Sequence, residues 1–138
     1  MSPSVTAYIA IGSNLGDRTS YLAFARDKLA EHEDVTIMAL SDIDETQPLG
    51  GLDQPAYLNQ MMAVQTRFDA ARLLWVCHDV ERLAGRRRST KWCSRTLDLD
   101  LVRYGNLMCD LPNLVLPHPG LRDRPFWASE IARMEAYG

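Results

Sequence analysis

The stretch "SRTLDLDLVRYG", residues 94–105, alternates leucine and aspartate before it becomes apolar. Side chains of a β-strand alternate between its two faces, so Asp98 and Asp100 are predicted to share one face and the leucines the other. Two carboxylates about 6.6–7 Å apart along a strand repel each other unless a cation lies between them. Mg²⁺ suits such oxygen ligands and completes its shell with water and phosphate oxygens. A solvated acidic face of an edge strand is the alternative interpretation, and the pair alone leaves it open.

A cluster of basic residues precedes this acidic strand. Six of the fifteen Lys and Arg side chains fall within residues 82–95, although the chain as a whole has a net charge of −3. Because arginine forks match phosphate oxygens, the cluster predicts a local anion site and not a broad nucleic-acid face. A pair of metal-binding carboxylates beside arginines is also what polyphosphate transfer requires. A solvated loop of like charges remains the alternative, and no GxxxxGK[ST] motif is present for a P-loop.

The patterns on either side of residues 94–105 predict the rest of the fold. Strands are predicted at residues 5–11, 35–43, 57–66 and 97–104. Helices are predicted after the N-caps Asp17 and Asp69 and again over residues 126–136. The order is strand, helix, strand, strand, helix, strand, which predicts an α+β ferredoxin-like βαββαβ fold with an antiparallel sheet. The 138 residues are expected to form a single domain, 1–138.

Composition excludes several classes of protein. The three cysteines, Cys77, Cys93 and Cys109, are odd in number and form no CxxC pair, which argues against a disulfide framework or a zinc site. No apolar stretch approaches the ~20 residues of a membrane span, and the N-terminus does not have the pattern of a signal peptide. We therefore expect a cytoplasmic protein, monomeric, with neither nucleic acid nor membrane as a partner.

Weaker signals lie in three other segments. Gly12 and Gly16 flank a loop between a strand and a helix, which suggests an anion cradle or a plain turn. Tyr57 and Asn59 share a strand face, where a ring can stack and an amide can read a flat ligand, or where both simply pack. His118 lies between two prolines and either donates to phosphate or caps a turn.

Four motifs in order resemble one known family. They are "AYIAIGSNLGDR" (7–18), "ETQPLGGLDQPAYLNQ" (45–60), "GRRRSTKWCSRTLDLDL" (85–101) and "LPHPGLRDRPF" (116–126). Together they cover nearly the whole chain and look like 6-hydroxymethyl-7,8-dihydropterin pyrophosphokinase of folate biosynthesis. The resemblance implies transfer of the β,γ-diphosphate of ATP to the pterin hydroxymethyl group, with release of AMP. It also implies a ferredoxin-like fold with flexible loops over the site.

The resemblance further implies a role for individual residues. The acidic pair would bind two Mg²⁺ ions and act in catalysis together with two loop arginines: Asp98, Asp100, Arg86 and Arg95. Residues matching the ATP site are His78, Glu81, Arg88, Lys91, Leu101, His118 and Arg124. Residues matching the pterin site are Thr46, Leu49, Tyr57, Asn59, Trp92 and Phe126, with the rings of Tyr57 and Phe126 on either side of the pterin. No protein nucleophile is implied, since positioning and charge neutralisation suffice.

Some positions depart from the family pattern. Cys93 and Ser94 stand where Gly-Pro is usual, His78 stands where glutamine is frequent, and a Pro-Leu segment after Phe126 is missing.

Two other classes of protein compete with the enzyme. A non-catalytic pterin or nucleotide sensor predicts ligand binding without turnover. An RNA-binding module shares the strand and helix order but predicts an RNP-type aromatic motif, which the sequence lacks.

Overall fold

The structure is a computed structural model that describes residues 3–47, 55–85 and 97–137. Its elements, in chain order, are β1 (Val5–Ser13), α1 (Arg18–Ala30), β2 (Val35–Leu40), β3 (Asp44–Thr46), β4 (Tyr57–Thr66), α2 (Ala70–Leu83), β5 (Asp98–Tyr104), β6 (Cys109–Leu111), β7 (Leu114–Leu116), a 3₁₀ helix (Pro119–Arg122) and α3 (Pro125–Tyr137). None of the helices in these ranges is long and apolar enough to cross a membrane.

The main sheet is antiparallel, with strand order β2–β4–β1–β5 and with β3 paired to β4. With β3 set aside, the four remaining strands lie in the order expected when two βαβ units interlock, so the predicted α+β ferredoxin-like fold is confirmed. β1 is central and β5 is its outer neighbour, so the strand with the acidic pair is an edge strand of this sheet.

Strand alternation divides the core into two layers. On one face, Ile9, Met62 and Leu99 pack in the layer that includes the buried side chains of α1 and α2. On the other face, Ala10 and Met61 pack in the layer formed with α3. The sheet is therefore covered by helices on both sides, and residues of β5 that point away from the leucines point to the α3 side.

Helix ends follow the predicted capping residues. The Asp17 carboxylate accepts a hydrogen bond from Ser20 N–H, and that of Asp69 accepts one from Arg72 N–H. These bonds satisfy backbone donors that a helix start leaves open. Gly85, with φ +82°, follows α2 in the left-handed conformation predicted for this position.

The structure differs from the prediction in the connections. The strand predicted over 35–43 ends at Leu40, and the loop predicted over 44–56 contains the short strand β3. The proline-rich connection contains the hairpin β6–β7, where an extended stretch was predicted. The three short strands β3, β6 and β7 have only three residues each, so they form by pairing with a neighbour and not from a periodic sequence pattern.

Candidate active site

The two aspartates occupy the α3-side face of β5, as the alternation predicts. Asp98 pairs in register with Gly12 and Asp100 pairs with Ala10, while Leu99 between them is 2% exposed in the opposite core layer. Both carboxylates are half-buried. The burial of the leucines thus places two negative charges on one partly shielded surface.

Gly12 is a buried residue of β1 between the acidic strand β5 and β4. It pairs with Asp98 on one side and with Asn59 on the other. A Cβ atom added at Gly12 would lie 3.3 Å from Asn59 Oδ1 and 3.4 Å from Cδ1 of Tyr57. The amide oxygen of Asn59 and the ring of Tyr57 therefore lie directly over Gly12, where a larger side chain would crowd them.

Thr46 joins these two residues through β3. Its hydroxyl oxygen accepts a hydrogen bond of 2.6 Å from Asn59 Nδ2. Because Nδ2 is used in this way, the amide of Asn59 is oriented with Oδ1 towards the space over Gly12. Both residues belong to the set that the family resemblance implies for the pterin site.

His118 meets the acidic pair from a different part of the chain. Its Nε2 lies 3.5 Å from Oδ1 of Asp100. Its Nδ1 accepts a hydrogen bond of 2.8 Å from Gly120 N–H. The backbone N–H of His118 donates to the carbonyl of Val102. In the neutral ring the proton is consequently on Nε2, facing the carboxylate. The structure thus places His118 both as a turn cap and beside the acidic site.

A cavity of about 270 Å³ opens beside this contact. Four residues predicted for the acidic and nucleotide sites line it, namely Asp100, His78, Leu101 and His118. The other lining residues were missed by sequence analysis and come from α2, β5, the β6–β7 turn, β7 and the 3₁₀ helix: Leu74, Leu99, Pro112, Asn113, Leu114, Val115 and Pro119. A cavity of this size falls just below the ~300 Å³ lower end of small-molecule pockets, so it suits one ring system and not a whole nucleotide.

Glu81 lies beneath this region and is 2% exposed. Its Oε2 accepts a hydrogen bond of 2.8 Å from the backbone N–H of Leu99. The Glu81 carboxylate on α2 therefore satisfies a backbone N–H at the outer edge of β5, between the two aspartates.

Cys77 on α2 is a buried thiol near the same site. Burial, followed by the charges of Glu81 and Asp100, raises the pKa of the Cys77 thiol, so this cysteine is inert at neutral pH.

The start of α3 forms a second wall near His118. The ring of Trp127 contacts that of His118 edge-on, with centroids 5.3 Å apart. The guanidinium of Arg124 stacks on the ring of Trp127, with its Cζ atom 4.7 Å from the ring centroid. Phe126, half-buried, lies with its centroid 6.4 Å from that of Trp127. Arg124 and Phe126, both predicted from sequence, are thus connected to the acidic strand through one buried tryptophan.

The "GSNLGD" loop has an anchoring role that sequence analysis missed. Asn14 donates to the carbonyl of Pro55, and Arg18 donates to the carbonyl of Ala56 and pairs with Glu45 at 3.0 Å. The side chain of Asp17 occupies the start of α1, which puts a negative charge where an anion would bind. These contacts favour the plain-turn interpretation of this loop over the anion cradle.

The remaining predicted site residues lie outside the described residues. They are Leu49, Arg86, Arg88, Lys91, Trp92 and Arg95. Their assignments remain predictions from the sequence.

The donor set at β5 fits magnesium. Within residues 3–47, 55–85 and 97–137 no group of three or more His, Cys, Asp and Glu side chains could enclose a metal ion. Two half-buried carboxylates on one strand face instead match a cation that takes one or two protein carboxylates and fills its shell with water and phosphate.

An acidic strand pair, a ring-sized cavity and neighbouring aromatic rings on one α+β sheet fit a metal-assisted transferase that acts on phosphates. Comparison with known proteins gives the particular family. The sequence model of 7,8-dihydro-6-hydroxymethylpterin-pyrophosphokinase matches residues 8–136. The chain belongs to this family.

Individual relatives agree with this assignment. A 2-amino-4-hydroxy-6-hydroxymethyldihydropteridine pyrophosphokinase of Bacillus subtilis is 37% identical over 128 residues, covering 93% of this chain and 77% of the relative. An enzyme of the same name from Methylorubrum extorquens is 37% identical over 128 residues, covering 93% and 81%. The bifunctional protein FolKE of Lactococcus lactis is 36% identical over 121 residues, which cover 88% of this chain and 35% of that protein.

Proposed function

We propose that this chain transfers the β,γ-diphosphate of ATP to the hydroxymethyl group of 6-hydroxymethyl-7,8-dihydropterin and releases AMP, as a step of folate biosynthesis. Membership of the pyrophosphokinase family carries this conclusion. The acidic pair on β5, which the family's chemistry needs, supports it. We expect the protein to act in the cytoplasm as a monomer.

Asp98 and Asp100 would hold two Mg²⁺ ions. When bound, the ions would neutralise phosphate charge and help to align the reacting oxygens. His118 restrains Asp100 through the 3.5 Å contact and is itself held by Gly120 and Val102. The proposed contribution of His118 is to position the Asp100 carboxylate, which reduces the reorganisation needed during transfer.

The nucleotide base would lie in the cavity beside β5. His78, Leu101 and Asp100 line this cavity. A ring held there places the attached polyphosphate near the acidic pair. Arg124 would approach the phosphates from the start of α3, and the sequence predicts Arg86, Arg88, Lys91 and Arg95 as further cationic contacts.

The pterin would lie over Gly12. Tyr57 and Asn59 lie next to Gly12, where the ring of Tyr57 would stack on the pterin and Asn59 Oδ1 would accept from a ring amino or N–H group. Thr46 orients this amide. Phe126 is proposed as the opposite ring wall, and Leu49 and Trp92 as contacts from the neighbouring loops. The hydroxymethyl group would then face the phosphates held at the acidic pair.

The first test is the adenine nucleotide that is released. Wild-type protein, Mg²⁺, ATP and the pterin are incubated and the nucleotides are separated by chromatography. We expect AMP to be formed, and we expect Asp98→Asn and Asp100→Asn to lower its rate by at least about 10²–10³-fold, because each removes a carboxylate that stabilises the charged transition state.

Asp110→Asn is the matched control, because Asp110 is an exposed aspartate on β6 outside the site. It should retain the wild-type rate. Release of ADP would contradict diphosphate transfer, and binding of ATP and pterin without any turnover would favour the sensor hypothesis. Full activity of both site variants would remove Asp98 and Asp100 from the mechanism.

A further inference from the structure

Trp127 is a buried ring of α3 to which the mechanism above gives no role. Its side chain is 3% exposed and packs in the core layer that includes Tyr8, Ala10 and Val102. A side chain buried to this degree is held by its neighbours in one orientation and does not reach a ligand itself. The indole therefore gives the site a rigid surface and not a binding group.

Two residues that the family resemblance assigns to the ATP site contact this ring. The imidazole of His118 meets the indole edge-on, with ring centroids 5.3 Å apart and an angle of 83° between the ring planes. The Cζ atom of Arg124 lies 4.7 Å from the indole centroid, within the range of a cation–π contact. No hydrogen bond or ion pair from residues 3–47, 55–85 or 97–137 holds this guanidinium, so the indole is its main support in that part of the chain.

Gly120 shows how closely these side chains converge. It is buried in the 3₁₀ helix. A Cβ atom added at Gly120 would lie 2.5 Å from Arg124 Nη1, 2.9 Å from His118 Nδ1 and 3.0 Å from Trp127 Cζ3. The three groups therefore surround one point and lie within a few ångströms of one another. Only a residue without a side chain permits this approach.

The arrangement continues to the acidic pair. His118 Nε2 lies 3.5 Å from Asp100 Oδ1, while His118 Nδ1 faces Gly120. Through His118, Trp127 thus supports a carboxylate that is proposed to hold Mg²⁺. Through Arg124, it supports a cation that is proposed to meet phosphate. Side chains that are fixed before the ligand arrives lose less conformational entropy when it binds.

We propose that Trp127 is a positioning residue, which holds Arg124 and His118 in a fixed relation to each other and to Asp100. The proposal deepens the function proposed above and rests on it for its consequence in ATP binding. Trp127 itself contacts no reacting group. Loss of its ring leaves the charge of Arg124 in the site but enlarges the space in which the guanidinium moves.

A first test needs no ligand. Protons held against an indole are shifted by its ring current, so NMR of the Arg124 side chain is compared in the wild type, Trp127→Leu and Trp75→Leu. Trp75→Leu is the matched control, since Trp75 is an exposed tryptophan on α2 that stacks with Arg72 at 4.5 Å. Only Trp127→Leu should return the Arg124 resonances to ordinary arginine positions. Ordinary positions in the wild type would overturn the proposal whatever the chain catalyses.

A second test measures ATP affinity by calorimetry, with Mg²⁺ and without pterin. Trp127→Leu should raise the Kd for ATP about tenfold, the size expected when a partly desolvated cation–π contact is lost. Trp127→Phe keeps a ring at this position and should recover most of the affinity. Trp75→Leu should bind ATP as the wild type does. An unchanged Kd in folded Trp127→Leu would overturn the proposal.

A double-mutant cycle distinguishes positioning from a general loss of packing. Arg124→Met removes the cation and keeps an unbranched apolar side chain. In that background Trp127→Leu should raise the Kd for ATP by at most about threefold, because only its effect through His118 remains. A further tenfold loss would show that Trp127 acts independently of Arg124, which would overturn the proposal.

Gly120→Ala replaces Trp127→Leu if the leucine variant does not fold. Its methyl group would displace Arg124 Nη1 while the indole remains available for the core. The Kd for ATP should again rise about tenfold, and an unchanged value would overturn the proposal. Absence of pterin turnover in the wild type would instead contradict the proposed function, and the NMR comparison would still decide the role of Trp127.

Discussion

Asp98 and Asp100 reach the site because the leucines around them belong to the core. Leu97, Leu99 and Leu101 are each at most 2% exposed, and strand alternation then directs the aspartates to the other face. Sequence alone is sufficient to predict this juxtaposition. It is insufficient to predict the contact with His118, which lies 18 residues further along the chain and approaches only through the β7 connection.

Gly12 has a role that depends on the missing side chain. Gly12→Ala should place a methyl group 3.3 Å from Asn59 Oδ1 and 3.4 Å from the Tyr57 ring, and so push aside two side chains proposed to contact the pterin. We expect the KM for pterin to rise about tenfold, which corresponds to about 1.4 kcal/mol, with the KM for ATP unchanged. Steady-state kinetics with each substrate varied in turn would check this.

The melting temperature provides the control for the Gly12 variant. It should fall only modestly, because Gly12 is buried and the added methyl group would crowd Asn59 Oδ1 at 3.3 Å without displacing backbone. An unchanged pterin KM in Gly12→Ala would mean that the pterin does not lie over this glycine.

At the scale of secondary structure, the long elements follow from periodicity and the short ones do not. The strands β1 and β4, the helices α1 and α2, and the caps Asp17 and Asp69 all lie where the sequence predicts them. β3 was missed because "DET" has no strand pattern and forms only by pairing with β4. The same reason explains why Thr46 was assigned to the site through a family resemblance and not through its position on a strand.

Glu81 on α2 stabilises the outer edge of β5. Sequence resemblance assigned this residue to the nucleotide site, whereas the structure gives it a buried bond to Leu99 N–H. Glu81→Leu should leave this donor unsatisfied, and Glu81→Gln should keep an oxygen for it. We expect the leucine variant to be about 1–3 kcal/mol less stable than the glutamine variant in urea unfolding.

Exchange at one amide distinguishes this explanation from a general loss of packing. The Leu99 amide should exchange faster in Glu81→Leu than in Glu81→Gln. Equal unfolding free energies for the two variants would show that the bond to Leu99 contributes nothing to the stability of β5.

At the scale of the whole molecule, two helical layers on a single sheet create the site. α2 supports β5 from one side and defines the cavity beside Asp100, while α3 brings Arg124 and Phe126 to the other side. Fold class and the acidic pair were predictable because they depend on local pattern. The cavity and the His118 contact were not, because each joins segments that meet only in the folded chain.

The most direct test of the central claim is phosphorus NMR of the wild-type reaction. Protein, Mg²⁺, ATP and 6-hydroxymethyl-7,8-dihydropterin are mixed and the spectrum is followed until ATP is consumed. The account predicts the AMP resonance together with the paired resonances of a pterin diphosphate, and neither in the Asp98→Ala, Asp100→Ala double variant. A pterin monophosphate with ADP, or product formation by the double variant, would contradict it.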